Sequence, residues 1–563
     1  MKTNLKISFQ NAAECTYGVQ GFGIVTGRER AENQALAAPE LNCGFVPAWW
    51  YTGACLETVD VNENGVCVLP TDEVLPQDMQ DRVLPLWFKA DVPKGQYRIT
   101  VTLFCEQDCA NALLFFSRRR LVWKGSLRAG ETFTYSGLCD VSPIIPRGSE
   151  SVQEDTSVDV ALAAPGVRLS KVCVEPADTK LIYVMGDSTV TDQSADVPYA
   201  PATSYSGWGQ MLPYFTGDEW CVSNHAHSGL TTESFRQEGH YDILRQLIKK
   251  GDVVLMQFAH NDQKLAHLKA KEGYRENLVR YIEEIRSFGG EPVLVTPLAR
   301  NSWSDPQNYN DLLTEYAQVV RDLAQEYKTP LVDLHCKMKQ AILKVGLEDA
   351  KKWFYPCDYT HTNDFGALMA AGFVAEDLHK AGIIKQNPSW QWQQYGPVQP
   401  MTSPENTTVA PPQGVNEWEA YETVRPDEAI TRVEAMEIVI RTLHFFPINV
   451  YNDLYDDVVG HETYAGTVQC AAQNHLIPAD FIENNLLQPH KAVSLQDFLR
   501  MLMTGYAARG SLTPSQQKPE GVSPQALAAV QLALSAKFVQ ETEAWGSDLT
   551  RKQAAQICKK VKL

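Results

Sequence analysis

The chain has 563 residues, 44% of them hydrophobic and 21% charged. At about 100–200 residues per domain this predicts roughly three domains with ample core, and excludes a disulfide-stapled miniprotein or wholesale disorder. Fifty Lys plus Arg against 68 Asp plus Glu give a net charge of -18, the wrong sign for holding nucleic acid through its phosphates. No apolar run approaches the ~20 residues of a membrane-spanning helix, so no membrane span is expected.

From the amino terminus, Met1 to Lys6 runs directly into Ile7-Ser8-Phe9-Gln10-Asn11 without the apolar core of a secretion signal. The expected location is cytoplasmic as the chain stands, and extracellular or wall-bound if a leader has been removed. Eight of the thirteen Cys fall in the first 180 residues. Their odd total and irregular spacing predict reduced, buried thiols, and Cys105 with Cys109 lacks the second pair or His cluster that a zinc site needs.

Residues 1–178 alternate short apolar runs with Gly and Pro turns, as in Leu84 to Ala90, then Val92-Pro93-Lys94-Gly95, then Tyr97 to Phe104. Ala112 to Phe116, Thr132 to Tyr135 and Val158 to Leu162 continue the pattern, which predicts antiparallel strands in a β-sandwich or jelly roll. Residues 179–386 change texture. Continuous apolar strands at Leu181 to Met185, Val253 to Met256 and Pro292 to Val295 alternate with helical stretches at Tyr241 to Lys250 and Tyr274 to Phe288. That alternation predicts an α/β domain on a parallel sheet.

Residues 387–416 are rich in Pro, Gln, Ser and Thr and read as a linker. Residues 417–563 are expected to be helical and repetitive. Thr431, Ser494 and Thr550 each precede an apolar helix, at intervals of 63 and 56 positions, so a unit of about 60 residues recurs three times with a hydroxyl cap on each helix.

The chemistry concentrates in the middle zone. Strand Leu181 to Met185 is followed at once by Gly186-Asp187-Ser188-Thr189, which sets Ser188 at the carboxyl edge of a parallel sheet, where ligands collect. Taken alone, Ser188 is either a nucleophile or a helix cap. A nucleophile needs a base, a carboxylate to orient it, and donors for the oxyanion. Asp358-Tyr359-Thr360-His361 offers the first two. Asn224 to Gly229 and Phe258 to Asp262, both after strands, offer backbone N–H groups and the Asn261 amide.

These four blocks resemble the SGNH (GDSL-like) hydrolases, whose signature Ser, Gly, Asn and His match Ser188, Gly229, Asn261 and His361. The likeness is closest to the rhamnogalacturonan acetylesterase branch, through Gly186-Asp187-Ser188-Thr189-Val190, Gly207-Trp208-Gly209-Gln210, Gln257 to Gln263 and Thr296-Pro297-Leu298-Ala299-Arg300. It spans residues 180–384 and implies a flavodoxin-like α/β fold. It also implies Ser188 as nucleophile, His361 as base and then acid, Asp358 as its orienting carboxylate, and Ser188, Gly229 and Asn261 as the oxyanion hole. No cofactor or metal is implied. His225, His227 and His260 are expected to bond locally, and Asp187 and Asp262 to accept hydrogen bonds within their loops. The sequence departs from the family in two places: Ala259 stands where Gly is usual, adding a methyl group, and Gly229-Leu230-Thr231 replaces Gly-Arg-Ser.

The resemblance extends to the flanks. The segment Phe88 to Phe104 looks like the galactose-binding-like jelly roll that precedes the catalytic domain in bacterial relatives, and Trp49-Trp50-Tyr51 is either a sugar platform or an interface filler. The three C-terminal units resemble S-layer homology repeats, with Arg432 and Arg551 keeping the Thr-Arg element and Leu495 replacing it. The function implied is a carbohydrate O-acetylesterase acting on acetylated pectic, rhamnogalacturonan-type oligosaccharides, with further glycan or cell-wall contact through the flanking domains. Two alternatives stand beside it: an esterase of the same superfamily acting on acetylated xylan, a lipid or a thioester, and a wall-associated glycan-binding protein with an inactive hydrolase core.

Overall fold

The computed structural model describes residues 4–9, 15–26, 39–47, 57–70, 82–146, 149–305, 308–356, 358–385, 419–443, 445, 454–458, 464–507, 513–540 and 544–561. Trp49-Trp50-Tyr51 and the linker 387–416 lie outside them. The chain divides into two compact units, one of Met1–Asp262, Lys269–Arg300 and Leu313–Pro404, the other of Gln263–Leu268, Asn301–Leu312 and Glu405–Leu563. The amino-terminal strands and the parallel sheet therefore share the first unit. Among the described residues no helix is long and apolar enough to cross a membrane.

The first unit begins with two antiparallel sheets. One follows the order Thr132–Val141, Gly95–Cys105, Val167–Ala177, Gly65–Pro70, Glu57–Asn62, with Leu5–Ser8 also paired to Val167–Ala177. The other follows Phe22–Ile24, Leu86–Asp91, Ser157–Ala163, Cys109–Phe116, Arg120–Leu127. In Gly95–Cys105 every second residue from Tyr97 to Cys105 is buried, the period of a sheet with one face in a core. Ile99, Val101 and Leu103 from one sheet join Phe88, Leu114 and Val160 from the other in a single apolar cluster.

The parallel sheet follows the order Cys221–Asn224, Leu181–Gly186, Val253–Gln257, Glu291–Val295, Leu331–Val332. Every residue of Leu181–Gly186 and Val253–Gln257 is buried, because helices cover both faces of such a sheet. In chain order the strands run 2-1-3-4-5, and the order reverses between Leu181–Gly186 and Val253–Gln257, which opens a crevice at their carboxyl ends. Helices His240–Leu247 and Arg275–Ser287 bury Tyr241, Leu244, Tyr281 and Ile282 against Tyr183, Met185, Val254 and Met256.

In the second unit, helices Arg432–Thr442, Leu495–Ala507 and Arg551–Cys558 follow the three capping hydroxyls. Thr431 and Thr550 form reciprocal capping boxes with Glu434 and Gln553, and Ser494 Oγ accepts from Asp497 N at 3.3 Å. The segments preceding the helices close a ring: Ile430 N donates to Leu549 O (2.8 Å), Leu549 N to Val493 O (2.9 Å), and Val493 N to Ile430 O (3.0 Å). Arg432 Nη1 donates to Phe481 O at 2.7 Å, and the Arg551 guanidinium bonds Val424 O and Glu434. Both arginines are buried, so the Thr-Arg pairs are engaged within the packing of this unit.

Candidate active site

Ser188 emerges two residues beyond the strand Leu181–Gly186, at the crevice where the strand order reverses. Its Oγ lies 2.8 Å from His361 Nε2, and His361 Nδ1 lies 2.7 Å from Asp358 Oδ2. The spacing of Asp358 and His361 works locally, because Asp358 Oδ1 also accepts the backbone N–H groups of Thr360 (2.7 Å) and His361 (2.9 Å). Burial would raise the Asp358 carboxyl, but these bonds hold it below the usual carboxylate range. The imidazole is thus oriented by an anion at Nδ1 and presents Nε2 to the serine hydroxyl, an arrangement that can accept the Ser188 proton as Oγ attacks a carbonyl.

The loop bearing His361 is held from beyond. Asn363 caps helix Asp364–Lys380 by accepting from Phe365 N and Gly366 N, while its amide donates to Ala202 O, Lys352 O and Phe354 O. A Cβ at Gly366 would sit 1.9 Å from Trp353 O, so this helix start packs directly on backbone. Arg300 donates to Thr360 Oγ1 at 3.0 Å.

The loops bearing Gly229 and Asn261 are joined to each other and to the Ser188 turn through neighbouring residues. Gln193 Nε2 donates to Ser188 O at 3.0 Å and to Ser228 Oγ at 3.2 Å, and Asn261 Nδ2 donates to Leu230 O at 3.0 Å. Gly229 has φ +88° and open space at its Cβ position, a left-handed conformation that glycine adopts without strain. Leu230, which stands where the resembled family has Arg, is buried in an apolar cluster. Ala259 has φ +130° and is buried. That region is open essentially to glycine, at a cost of order 1–3 kcal/mol for other residues, so the extra methyl group is a backbone strain and not a small addition.

The remaining loop residues form a polar layer that is buried except at the half-buried His227. His225 Nε2 pairs with Ser223 Oγ (2.9 Å), His227 Nδ1 faces Ser228 O (3.0 Å), and His260 sits between Asp187 Oδ2 (3.0 Å) and Leu298 O (2.9 Å). Burial opposes ionisation of Asp187, but the neighbouring His260 and the Thr189 N–H and hydroxyl bring its carboxyl down to about 2. Asp262 Oδ1 accepts from Thr232 N and Oγ1. Burial, with the Asp187 charge adding to it, pushes Asp262 up to about 7 against the pull of those bonds. The raised value means the folded protein binds a proton that the unfolded chain releases, so between pH ~4 and 7 stability falls as pH rises. Asp262→Asn, which keeps the acceptor, is expected to stabilise the protein at pH 8 by on the order of 1–3 kcal/mol and to leave pH 4 stability nearly unchanged; denaturant unfolding at the two pH values measures it.

Three residues missed by the sequence reading, Arg118-Arg119-Arg120, bond segments that carry the site. Arg118 and Arg119, with φ of 61° and 55°, lie in the turn Ser117 to Arg119 between Cys109–Phe116 and Arg120–Leu127, and Arg120 opens the second strand. Consecutive left-handed turn positions favour Asn and Gly, so a pair of arginines here carries left-handed strain. All three are buried. Arg118 pairs with Asp155 (3.1 Å) and Arg120 with Asp192 (2.8 Å). Arg119, 0% exposed, clamps both carboxylate oxygens of Asp364 at 2.6 and 2.7 Å, and donates to Tyr205 O and Gln210 Oε1. Gln210 Nε2 in turn donates to Gln193 O at 2.9 Å. One guanidinium from the amino-terminal sheets thereby ties the His361 side of the crevice to the Ser188 side. Among the described residues no three His, Cys, Asp or Glu side chains gather as a metal site requires.

The profile of the GDSL-like Lipase/Acylhydrolase family matches residues 184–367. The chain is 32% identical over 216 residues to rhamnogalacturonan acetylesterase RhgT of Bacillus subtilis (strain 168), covering 36% of this chain and 90% of RhgT. Probable rhamnogalacturonan acetylesterase YesY of the same strain is 29% identical over 210 residues, 36% of this chain and 94% of YesY. The uncharacterized esterase YxiM of that strain is 26% identical over 301 residues, 53% of this chain and 75% of YxiM. A crystal structure of YxiM from Bacillus subtilis covers 68% of this chain and 99% of its own at 20% identity, with a TM-score of 0.35.

Proposed function

Because this chain belongs to the GDSL-like lipase/acylhydrolase family and is a serine ester hydrolase, we propose that it removes O-acetyl groups from carbohydrate, specifically from rhamnogalacturonan-type pectic oligosaccharides. The observation that carries the chemistry is the continuous hydrogen-bonded line Ser188, His361, Asp358 at the crevice of the parallel sheet. The substrate class is supported by RhgT and YesY, both of which the chain matches over nine-tenths or more of their length.

In this reading Ser188 Oγ attacks the ester carbonyl as its proton passes to His361 Nε2. The tetrahedral oxyanion is held by the N–H groups of Ser188 and Gly229 and by the Asn261 amide, donors fixed before the charge develops. The C–O bond to the sugar then breaks and His361 returns the proton to the departing oxygen. Water, deprotonated by the same imidazole, releases acetate from Ser188. Asp358 stays ionised throughout and stabilises the imidazolium.

The domain division that goes with this reading is an amino-terminal galactose-binding-like jelly roll to residue 178, a catalytic domain over 179–386, a linker, and a helical S-layer-homology-like domain from 417. The first is assigned a structural part in the active site through Arg119. The last is assigned a packing or partner-binding part instead of wall binding, because its Arg432 and Arg551 guanidiniums are spent on internal acceptors.

Acetate release from acetylated rhamnogalacturonan oligosaccharides, acetylated xylan and a long-chain acyl ester, compared by kcat/KM, tests the assignment. Preference for the pectic substrate is the expected outcome; preference for the long-chain ester would replace it with a lipase reading.

A further inference from the structure

Two tyrosines border His361 and take no part in the mechanism. The rings of Tyr205 and Tyr355 lie 3.6 Å apart and 11° from parallel, and Tyr205 meets the His361 ring edge-on at 5.8 Å. Tyr205 is 36% exposed, beside a His361 side chain that is itself half-buried. Its backbone is held on both sides: it bridges Asn363, two residues after His361, and its carbonyl accepts from Arg119. Tyr355 is tied to the same loop, since its N–H donates to His361 O at 2.9 Å.

We propose that the Tyr205–Tyr355 pair is a saccharide subsite, the platform on which the sugar ring carrying the departing hydroxyl stacks; this rests on the carbohydrate esterase reading above. His361 Nε2 must come within about 3 Å of the leaving oxygen to protonate it, so the sugar carbon bearing that oxygen lies next to the imidazole, and its ring reaches the aromatic pair that flanks it. The C–H face of a pyranose is apolar and packs on an aromatic face, while its hydroxyl edges stay in water. A platform whose backbone is already anchored gives up little freedom when the sugar binds. The pair stands on the His361 side of the scissile bond, so it reads the alcohol and not the acyl chain. That assigns the enzyme's selectivity to the sugar, with acetate as the common acyl group.

The test compares two acetate esters that share the acyl group and differ in the alcohol: an acetylated rhamnogalacturonan oligosaccharide, and ethyl acetate, whose leaving group has no ring to stack. Tyr205→Ala is expected to lose about tenfold more kcat/KM on the oligosaccharide than on ethyl acetate, the worth of one aromatic stack, with the loss carried mainly by KM. Tyr205→Phe, which keeps the ring, is expected to restore the oligosaccharide value. Equal losses on the two esters would make Tyr205 a support for His361 and overturn the subsite, as would an oligosaccharide rate unaffected by Tyr205→Ala. If the wild-type enzyme hydrolyses ethyl acetate but no acetylated glycan, the carbohydrate reading fails and the subsite falls with it. Glycan turnover with an unselective Tyr205→Ala removes the subsite alone.

Discussion

Ser188→Ala is expected to lower acetate release by at least about 10⁴-fold, the loss found when a serine nucleophile is removed and only oxyanion binding remains. The same variant should fold normally. Ser188 is half-buried and its side chain makes one hydrogen bond, to His361, so stability is expected to stay within about 1 kcal/mol of wild type. Reaction with a fluorophosphonate gives an independent readout, because it modifies a serine only where a base has activated it. Wild type should be labelled at Ser188 and the variant should not. Undiminished turnover by Ser188→Ala would remove this residue from the mechanism, and an unlabelled wild type would point to a glycan-binding protein with an inactive core.

The second large effect is expected at Arg119. Arg119→Met keeps most of the side-chain volume and removes the charge that compensates Asp364, a carboxylate buried at the start of the helix that follows His361. Burial pushes Asp364 upward and Arg119 pulls it back. With Arg119 gone the acid is held only by neutral partners such as the Tyr199 hydroxyl. Breaking a buried ion pair on one side costs about 3–5 kcal/mol. The sign with pH follows, since a carboxyl raised in the folded state loses stability as pH climbs through its folded value. The penalty of Arg119→Met is therefore expected to be larger at pH 8 than at pH 5, and Asp364→Asn added to it should recover a substantial part, giving a non-additive cycle. Activity should fall at least about tenfold, because the anchor of the Tyr205 carbonyl and of the His361 helix goes with it. A variant as stable as wild type, with unchanged kcat, would show that the clamp is dispensable.

Much of the α/β portion is legible in the sequence because its strands are buried on both faces. Leu181 to Met185 and Val253 to Met256 are unbroken apolar runs, and they form Leu181–Gly186 and Val253–Gln257. The helical periodicity at Tyr241 to Lys250 corresponds to the shorter helix His240–Leu247, which ends where Ile248 takes an extended backbone. Asp358 and His361 are legible together because their contact is local, an aspartate bonding the backbone and ring three residues ahead.

Arg118-Arg119-Arg120 is illegible for the opposite reason. A run of three like charges ordinarily marks a solvated turn, and what buries this one are Asp155, Asp364 and Asp192, 37, 245 and 72 residues away. Tyr205 is hidden in the same way, since its place beside His361 is set by a bridge to Asn363 and by Arg119. Pattern periodicity carries no information about such pairings. The strain at Ala259 depends on a φ of +130° that no residue type announces, although the family's glycine at this position is what such a backbone favours.

Pectic acetylesterase activity is tested most directly by acetate release by the wild-type full chain from acetylated rhamnogalacturonan oligosaccharides, run beside acetylated xylan at equal ester concentration with Ser188→Ala as the control. Faster release from the pectic oligosaccharide, abolished in Ser188→Ala, is the expected outcome. Release from neither glycan, or release that persists without the Ser188 hydroxyl, would contradict it.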